Sequence, residues 1–410
     1  MVMHRKSIKG SKSSKLAGKG IVLGITGSIA AVESVKLSRE LMRHGAEVYA
    51  VMSGDAKKII HPYALEFGTG NPVVDEITGK IEHVSYAGEH DKRCDLILIA
   101  PATANTISKI ASGIDDTPVT TVVSTGFGKI PIIIVPAMHS SMYRNPIILE
   151  NIEKLKKYGV EFLTPKFEEN KAKLPEIDDI VTAVIKRLYV KDFLGKKVLV
   201  TAGPTIEKID DVRFITNKSS GLMGIKIAEE FDMRGAEVNL VLGPTQLSSY
   251  VKTHHVETYE EMFNAVMSNK EVDIAIFAAA TSDFHVDNCS SGKISSNQPF
   301  GITLTPNKKI IEEFSKESKS FIVGFKAEYS VSEDQLIKKA YDRLQNSNID
   351  LIVANDVGRE MRGFESKTNE VFIIDKTKKV SHLTLEEKEK LAEKIVNIIK
   401  KYLNSKEFIC

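Results

Sequence analysis

The chain has 410 residues, 42% of them hydrophobic, and a formal net charge of +2. That length exceeds one ordinary domain and suits two, the apolar content is that of a water-soluble globular protein, and a near-neutral charge singles out no nucleic-acid or membrane partner. No apolar run approaches the roughly 18 residues of a membrane span. The three cysteines, Cys94, Cys289 and Cys410, have neither CxxC nor zinc-finger spacing, which argues against structural zinc or a disulfide framework and fits a reducing cytoplasm.

Residues 1–18 carry Arg5, Lys6, Lys9, Lys12 and Lys15 with no acid and no apolar stretch of the kind a secretory signal needs. They read as a disordered basic tail, with a nucleic-acid arm as the alternative. A first plan then begins at residue 19. Lys19 to Gly27 is an unbroken apolar strand ending in glycine, followed by a helix that stops at Arg43-His44-Gly45, where glycine suits a C-cap. A second strand runs from Glu47 to Met52. A third lies within Asp95 to Ala104 and ends in small polar residues. The sequence Gly24-Ile-Thr-Gly27-Ser28-Ile29-Ala30 lacks the GxGxxG spacing of a dinucleotide fingerprint, and the second strand ends in Ser53-Gly54 rather than in an acid for a ribose. A mononucleotide such as FMN, its phosphate near Gly27, Ser28 and Ser53, therefore suits this half better than NAD. Pro101-Ala102-Thr103-Ala104-Asn105-Thr106 offers further hydrogen-bonding groups at the carboxyl edge of the sheet, where ligands bind.

The same plan repeats after a charged join at residues 187–195. Lys196 to Gly203 matches the first strand, Arg234-Gly235-Ala236-Glu237-Val238 matches the turn into the second, and Asp273 to Ser282 matches the third. Strands alternate with helical patterns throughout, so the fold class is α/β, with two tandem Rossmann-like domains at 19–186 and 196–403. Leu385 to Leu403, with Leu391, Ile395, Ile398 and Ile399 on one face, is a closing amphipathic helix. Between the repeat's first strand and its helix lies the long polar loop from Gly203 to Gly224, GPTIEKIDDVRFITNKSSGLMG. A strand that ends in such a loop and leads into a helix with small residues at its mouth is a site for anions.

Several of these segments resemble known families. ITGSIAA, His83 ahead of DLILIAPATANTISKIASG, and Pro136-Ala-Met-His-Ser-Ser-Met-Tyr143 are similar to the flavin-dependent cysteine decarboxylases. The 203–224 loop, Gly292-Lys293-Ile294, Val323-Gly-Phe325 and Ala354-Asn-Asp-Val357 resemble phosphopantothenate–cysteine ligases. In this order they look like the bifunctional phosphopantothenoylcysteine decarboxylase/phosphopantothenate–cysteine ligases of coenzyme A biosynthesis, in an archaeal-type variant. The resemblance spans roughly residues 19 to 400. It implies that the first domain is a flavodoxin-like flavoprotein domain and the second a nucleotide-binding ligase domain, and that they carry out two consecutive steps. The ligase would join 4′-phosphopantothenate and L-cysteine through an acyl-cytidylate, with CTP as co-substrate and Mg²⁺ (or Mn²⁺) held mainly by the triphosphate. The FMN-dependent half would then oxidise the cysteine thiol, lose CO₂ from the resulting thioaldehyde, and return the hydride to give 4′-phosphopantetheine.

Site residues carry over by position. In the first half, His83 matches the active-site histidine, a residue suited to proton transfer near neutral pH. Gly27, Ser28, Ile29, Ser53, Ala102, Thr103, Asn105 and Thr106 would hold FMN, and Met138 and Met142 would flank the substrate. His139 replaces the asparagine that holds the substrate carboxylate in bacterial members, and it can still donate to a carboxylate. The reactive flap cysteine is missing from Phe167 to Leu174. In its absence Lys171 or Lys173 would help hold the substrate, or His139 would supply the proton, or else the flavin half does not complete the reaction.

In the second half, Asn217 and Lys293 would act on the acyl-nucleotide, Lys293 from a flexible flap. Gly203, Thr205, Ser219, Ser220 and Gly221 would form the phosphate cradle. Ala279, Ala280, Asp283 and Phe325 would contact the nucleotide. Lys308, Ile310 and Ile311 stand where the family has NPDIV. Of two lysines the family places ahead of its NLDLICAND-like segment, one is Arg343 here and the other Ser347, which leaves CTP against ATP open. The resemblance also implies a homo-oligomer, with flavin halves as trimers and ligase halves as dimers, working in the cytoplasm without nucleic acid or membrane. An NAD(P) oxidoreductase is disfavoured by the missing fingerprint. A regulatory flavoprotein is disfavoured because its kind carries a long acidic tail absent here.

Overall fold

The computed structural model describes residues 8–407 except 92, 296 and 298. The counts of strands below refer to those residues. The chain divides into two compact units between Tyr189 and Val190.

In the first unit, strands β1 (Gly20–Ile25), β2 (Glu47–Met52), β3 (Leu96–Ala102), β4 (Ile132–Pro136) and β5 (Glu161–Phe162) form a parallel sheet in the order β2-β1-β3-β4-β5. This is the flavodoxin-like order, whose switch point lies between β1 and β3. All seven residues of β3 are buried, as expected of a strand covered on both faces by helices. Helices α1 (Ser34–Arg43), α2 (Pro62–Thr69), α3 (Glu82–Ala87), α4 (Ala104–Ser112), α5 (Pro118–Gly126), α6 (Pro146–Lys157) and α7 (Ile177–Leu188) supply that cover. α1 packs with α2 and α7, and α4 packs with α5 and α6.

The disordered tail expected over residues 1–18 is corrected where the structure describes it; Arg5 and Lys6 lie outside the described residues. The amides of Gly10, Lys12 and Leu16 donate to the carbonyls of Met42, Arg43 and His44 at 2.8–2.9 Å. Leu16 is fully buried, and Lys12 pairs with Glu40. The reason is local. The last carbonyls of a helix have no partner within it, and the tail supplies the missing donors to α1.

The second unit holds β6 (Lys197–Ala202), β7 (Glu237–Leu242), β8 (Thr253–His255), β9 (Ile274–Phe277), β10 (Phe321–Glu328), β11 (Leu351–Asp356), β12 (Thr368–Asp375) and β13 (Val380–Glu387) in the order β8-β7-β6-β9-β10-β11-β12-β13. The first six follow the dinucleotide-fold order, with the switch point between β6 and β9. β12 and β13 extend the sheet antiparallel. On β6, Val198 and Val200 face one core cluster, with Phe231, Ile395 and Ile399, while Leu199 faces another, with Met262, Phe314 and Leu344. That is the period-2 alternation of a strand between two helical layers. The helices are α8 (Leu222–Met233), α9 (Tyr259–Met267), α10 (Ile310–Glu317), α11 (Glu333–Ser347) and α12 (Lys388–Glu407), with α8 packed on α12.

The join expected at 187–195 is also corrected at both ends. α7 runs to Leu188, and Asp192 and Phe193 are built into the second unit. Buried Arg234 donates through Nε to Asp192 at 2.7 Å, and its guanidinium lies 4.9 Å from the Phe193 ring. A buried guanidinium needs an anion, and these residues provide one along with a ring to stack on.

Gly224 lets α8 approach β6. A Cβ at Gly224 would lie 2.6 Å from the Ala202 Cβ and 3.0 Å from the Thr201 carbonyl oxygen. Gly224→Val is expected to cost the second unit about 1–3 kcal/mol, read as a lower thermal midpoint with FMN still bound. An unchanged midpoint would show that the helix simply shifts outward.

Candidate functional site

In the first unit the carboxyl ends of β1, β2 and β3 meet at the switch point. Thr26 Oγ1 donates to the Pro101 carbonyl at 2.8 Å and accepts from the Thr103 amide at 3.0 Å, tying β1 to the start of α4. Gly27 sits so close to the turn after β2 that a Cβ would lie 2.5 Å from the Asp55 Cβ. Ser53 is buried, and its hydroxyl accepts from the Ala56 amide at 3.3 Å. Thr103 caps α4 by accepting from the Thr106 amide at 3.3 Å, and the two threonine hydroxyls lie 3.1 Å apart. Ala102 is buried, Asn105 is exposed on the first turn of α4, and Ser28 is half-buried in the turn after β1. Ile29 is 78% exposed, an unusual place for an isoleucine. The expected residues around this switch point are thus hydroxyls, a helix N-terminus and a glycine held at close range.

His83 lies on α3, half-buried, with its buried Nδ1 lacking a hydrogen-bond partner among the described residues. His139 is exposed and caps a short helix at 140–143. Its Nδ1 accepts from the Ser141 amide at 3.3 Å and lies 2.8 Å from Ser141 Oγ. An Nδ1 that accepts from an amide leaves the proton on Nε2 as a donor. The cysteine-free flap is a hairpin of Lys166–Glu168 and Lys171–Lys173, and its second strand pairs with Met138–His139, placing Lys171 directly across from His139. Phe167 meets the Tyr143 ring edge-on at 5.4 Å. Lys173 is drawn to Glu168 and Glu169, at 3.3 and 2.9 Å. Met138 is half-buried and Met142 exposed.

In the second unit a cavity of about 420 Å³ opens at the carboxyl ends of β6, β9, β10 and β11. The structure brings Ser219, Ser220, Gly221, Ala279, Ala280, Asp283, Ile310, Ile311, Phe325 and Arg343 to its wall. The loops after β6 and β9 are stitched together. The Ala280 amide donates to the Gly203 carbonyl at 2.9 Å, and Asn217 Nδ2 donates to the Ala280 carbonyl at 2.9 Å. Gly203 and Thr205 lie outside the cavity wall. Thr205 is fully buried and accepts from the Ser282 amide at 2.8 Å, so it supports the turn that carries Asp283. Lys308 is exposed and also off the wall. Its neighbour Lys309 lines the cavity and pairs with Asp283.

Lys293 is exposed and off the wall. Backbone bonds bracket it, from Gly292 N–H to Asp211 at 2.7 Å and from Ile294 N–H to Asp210 at 3.1 Å. Burial pushes the Asp210 carboxyl up, but amides of Val212, Ile294 and Arg213 outweigh it and hold the group below the usual carboxylate range. Its charged form therefore anchors the Lys293 segment. Lys326, Asn355, Phe364, Asn369 and Lys388 also line the cavity. Asn355 belongs to the Ala354–Val357 motif, whereas Lys388 sits in a charged run that reads as a solvated helix face. Among the described residues no group of three or more His, Cys, Asp and Glu side chains is gathered as for a metal ion.

Comparison with known proteins places these two sites in context. Residues 193–403 match the family described as DNA/pantothenate metabolism flavoprotein C-terminal domain, and residues 9–189 match the family described as Flavoprotein. The chain is 55% identical over 410 residues to the coenzyme A biosynthesis bifunctional protein CoaBC of Thermococcus kodakarensis, covering 98% of this chain and 100% of that one. It is 44% identical over 409 residues to the protein of the same description from Methanocaldococcus jannaschii, covering 97% and 99%. Among solved structures, a crystal structure of the C-terminal domain of a CoaBC protein aligns at 34% identity and a TM-score of 0.45, over 52% of this chain and 99% of that chain.

Proposed function

Because the chain belongs to the family of coenzyme A biosynthesis bifunctional CoaBC proteins, we propose that its second unit takes CTP with Mg²⁺ and that the two switch-point sites house its two reactions. The protein is a bifunctional enzyme, a ligase for 4′-phosphopantothenate and cysteine and an FMN-dependent decarboxylase of the product. The observation that carries the ligase site is the cavity at the switch point of the second unit, walled by Ser219–Gly221, Ala279–Ala280, Asp283 and Phe325.

Carboxylate and amine do not condense unaided. The carboxylate must first be activated as a mixed anhydride with the nucleotide's α-phosphate, pyrophosphate leaving, so this reading seats a triphosphate and its charge in the cavity. Lys309, Lys326 and Arg343 line that cavity, and Lys293 would come to the reacting centre from its bracketed segment. Asn217, bonded to the Ala280 carbonyl at 2.9 Å, would position the acyl group. No metal cluster is needed in this reading, since the triphosphate carries Mg²⁺.

In the first unit the residues present suit FMN. Thr103 and Thr106 at the N-terminus of α4, with Ser28 and the closely packed Gly27, offer donors for a phosphate. FMN, when bound, supplies oxidation of the substrate thiol and later return of the hydride. His139 would hold the substrate carboxylate through its Nε2 proton, and His83 would move a proton at the thiol. Lys171, across from His139, closes the same corner. The cytoplasm and a homo-oligomer, trimeric in the flavin halves and dimeric in the ligase halves, belong to this reading.

A second reading, ligation with an impaired flavin half, is favoured by one observation, the lack of cysteine in the hairpin at 166–173. One experiment separates the two. The FMN-loaded protein is incubated with 4′-phosphopantothenate, cysteine and Mg²⁺, with CTP or ATP, and products are followed by mass. 4′-Phosphopantetheine, formed with CTP in preference to ATP, is the expected result. 4′-Phosphopantothenoylcysteine alone would support the second reading, and product with ATP alone would overturn CTP.

A further inference from the structure

Lys388 opens α12, lines the ligase cavity and is 4% exposed. The other cations on that wall each meet a carboxylate: Lys309 with Asp283, Lys326 with Glu328 at 3.1 Å, and Arg343 with Glu312 at 2.6 Å. Among the described residues Lys388 has no such partner. Its Nζ donates to the Phe364 carbonyl at 3.1 Å, and an ammonium has three N–H groups to place. Burial drives its pKa down to about 8. A buried cation without a counter-ion is costly unless something else supplies the charge.

The surroundings of Lys388 add to the positive potential. The first residues of α8, Leu222 to Gly224, line the cavity, and its N-cap, Gly221, has no side chain to cap it, the Leu222 amide reaching Ser220 Oγ only at 3.5 Å. α12 starts at Lys388 itself, so the N-termini of two helices converge on one space, and each favours an anion. Glu389, the acid in the first turn of α12, is not on the cavity wall. Ser220 Oγ donates to the same Phe364 carbonyl at 2.8 Å. Lys388 and the Ser219–Gly221 turn are therefore held around one oxygen, with the mouth of α8 beside them.

We propose that Lys388 is the cation that binds a phosphate group of a ligase substrate, in the niche between Ser220–Gly224 and the start of α12. The inference rests on the ligase reading and adds a binding residue to it. The phosphate belongs either to the nucleotide or to 4′-phosphopantothenate, and the two are told apart by which KM responds.

The test compares Lys388→Met and Lys388→Arg with the unaltered full-length, FMN-loaded protein, measuring kcat and each KM for ligation. Lys388→Met is expected to raise the KM of one phosphorylated substrate roughly 10- to 100-fold, the loss of one charged hydrogen bond, with the KM for cysteine unchanged. Lys388→Arg restores most of that affinity. A rise in the CTP KM assigns the nucleotide, and a rise in the 4′-phosphopantothenate KM assigns the other substrate. Calorimetric titration with inorganic pyrophosphate gives a readout independent of turnover, with binding to Lys388→Met at least about tenfold weaker than to the unaltered protein. Unchanged KM values together with unchanged pyrophosphate binding, or a loss confined to kcat, overturn the proposal. If Lys388→Met does not fold, Lys388→Gln, which keeps a donor for the Phe364 carbonyl, carries the same comparison. If the unaltered protein makes no 4′-phosphopantothenoylcysteine, the ligase reading fails, and the pyrophosphate titration still decides whether Lys388 binds a phosphate.

Discussion

Lys293→Gln is expected to lower ligation by about two to three orders of magnitude while FMN stays bound. That is the size of effect seen when a group that stabilises transition-state charge is removed. Glutamine is one atom shorter than lysine but keeps a hydrogen-bond donor, and the main change is the loss of the charge. The segment itself should survive, because it is held by its backbone, through Gly292 to Asp211 and Ile294 to Asp210, and not by the lysine side chain. Binding of substrates, with the cavity wall intact, should change much less than kcat. The flavin half provides the internal control, since it should still decarboxylate supplied 4′-phosphopantothenoylcysteine. Normal ligation by this variant would refute the assignment of Lys293 to the reaction.

His83→Asn should have the opposite pattern. Decarboxylation is expected to fall by about 10²- to 10⁴-fold, the usual contribution of a positioned proton-transfer group, and 4′-phosphopantothenoylcysteine should accumulate because ligation continues. Asparagine occupies part of the imidazole's space and keeps a hydrogen-bonding amide, but it cannot carry the proton. The buried Nδ1 of His83 has no partner among the described residues, so the substitution breaks no internal hydrogen bond, and the visible absorbance of bound FMN should persist. Unchanged release of CO₂ would remove His83 from the reaction and shift attention to His139, whose Nε2 is the free end of a ring anchored at Ser141.

Much of the architecture is legible in the sequence. The runs Ile21 to Ile25 and Val198 to Ala202 are apolar without alternation, and such runs are strands buried on both faces. Gly45 and Gly235 marked helix ends correctly, with positive φ of 102° and 91°. The polar loop after β6 pointed to the switch point, and ten of the expected ligase residues, Ser219 to Gly221 among them, do line one cavity there. The errors have a common cause. Residues 8–18 look like a solvated tail because their partners, the last carbonyls of α1, are far away in sequence. Thr205 looks like a cradle residue because it sits in the polar loop, yet its hydroxyl is used beneath the surface by Ser282. The antiparallel strands β12 and β13 carry no local mark of their direction, since an apolar run pairs either way.

The sequence by itself determined the two βα repeats, the family, and the edge of each sheet at which ligands bind, because these follow from periodicity, glycine placement and motifs that act over a few neighbouring residues. Only the tertiary structure decided which charges share a space. Strand order carries the ends of β6, β9, β10 and β11 and the starts of α8 and α12 to one cavity. It sets Lys388 beside Ser220, around the Phe364 carbonyl. Burial and the absence of a carboxylate neighbour depend on every element around a side chain, so a lysine in a run of charges can be a solvated face or a buried cation, and the fold makes that choice.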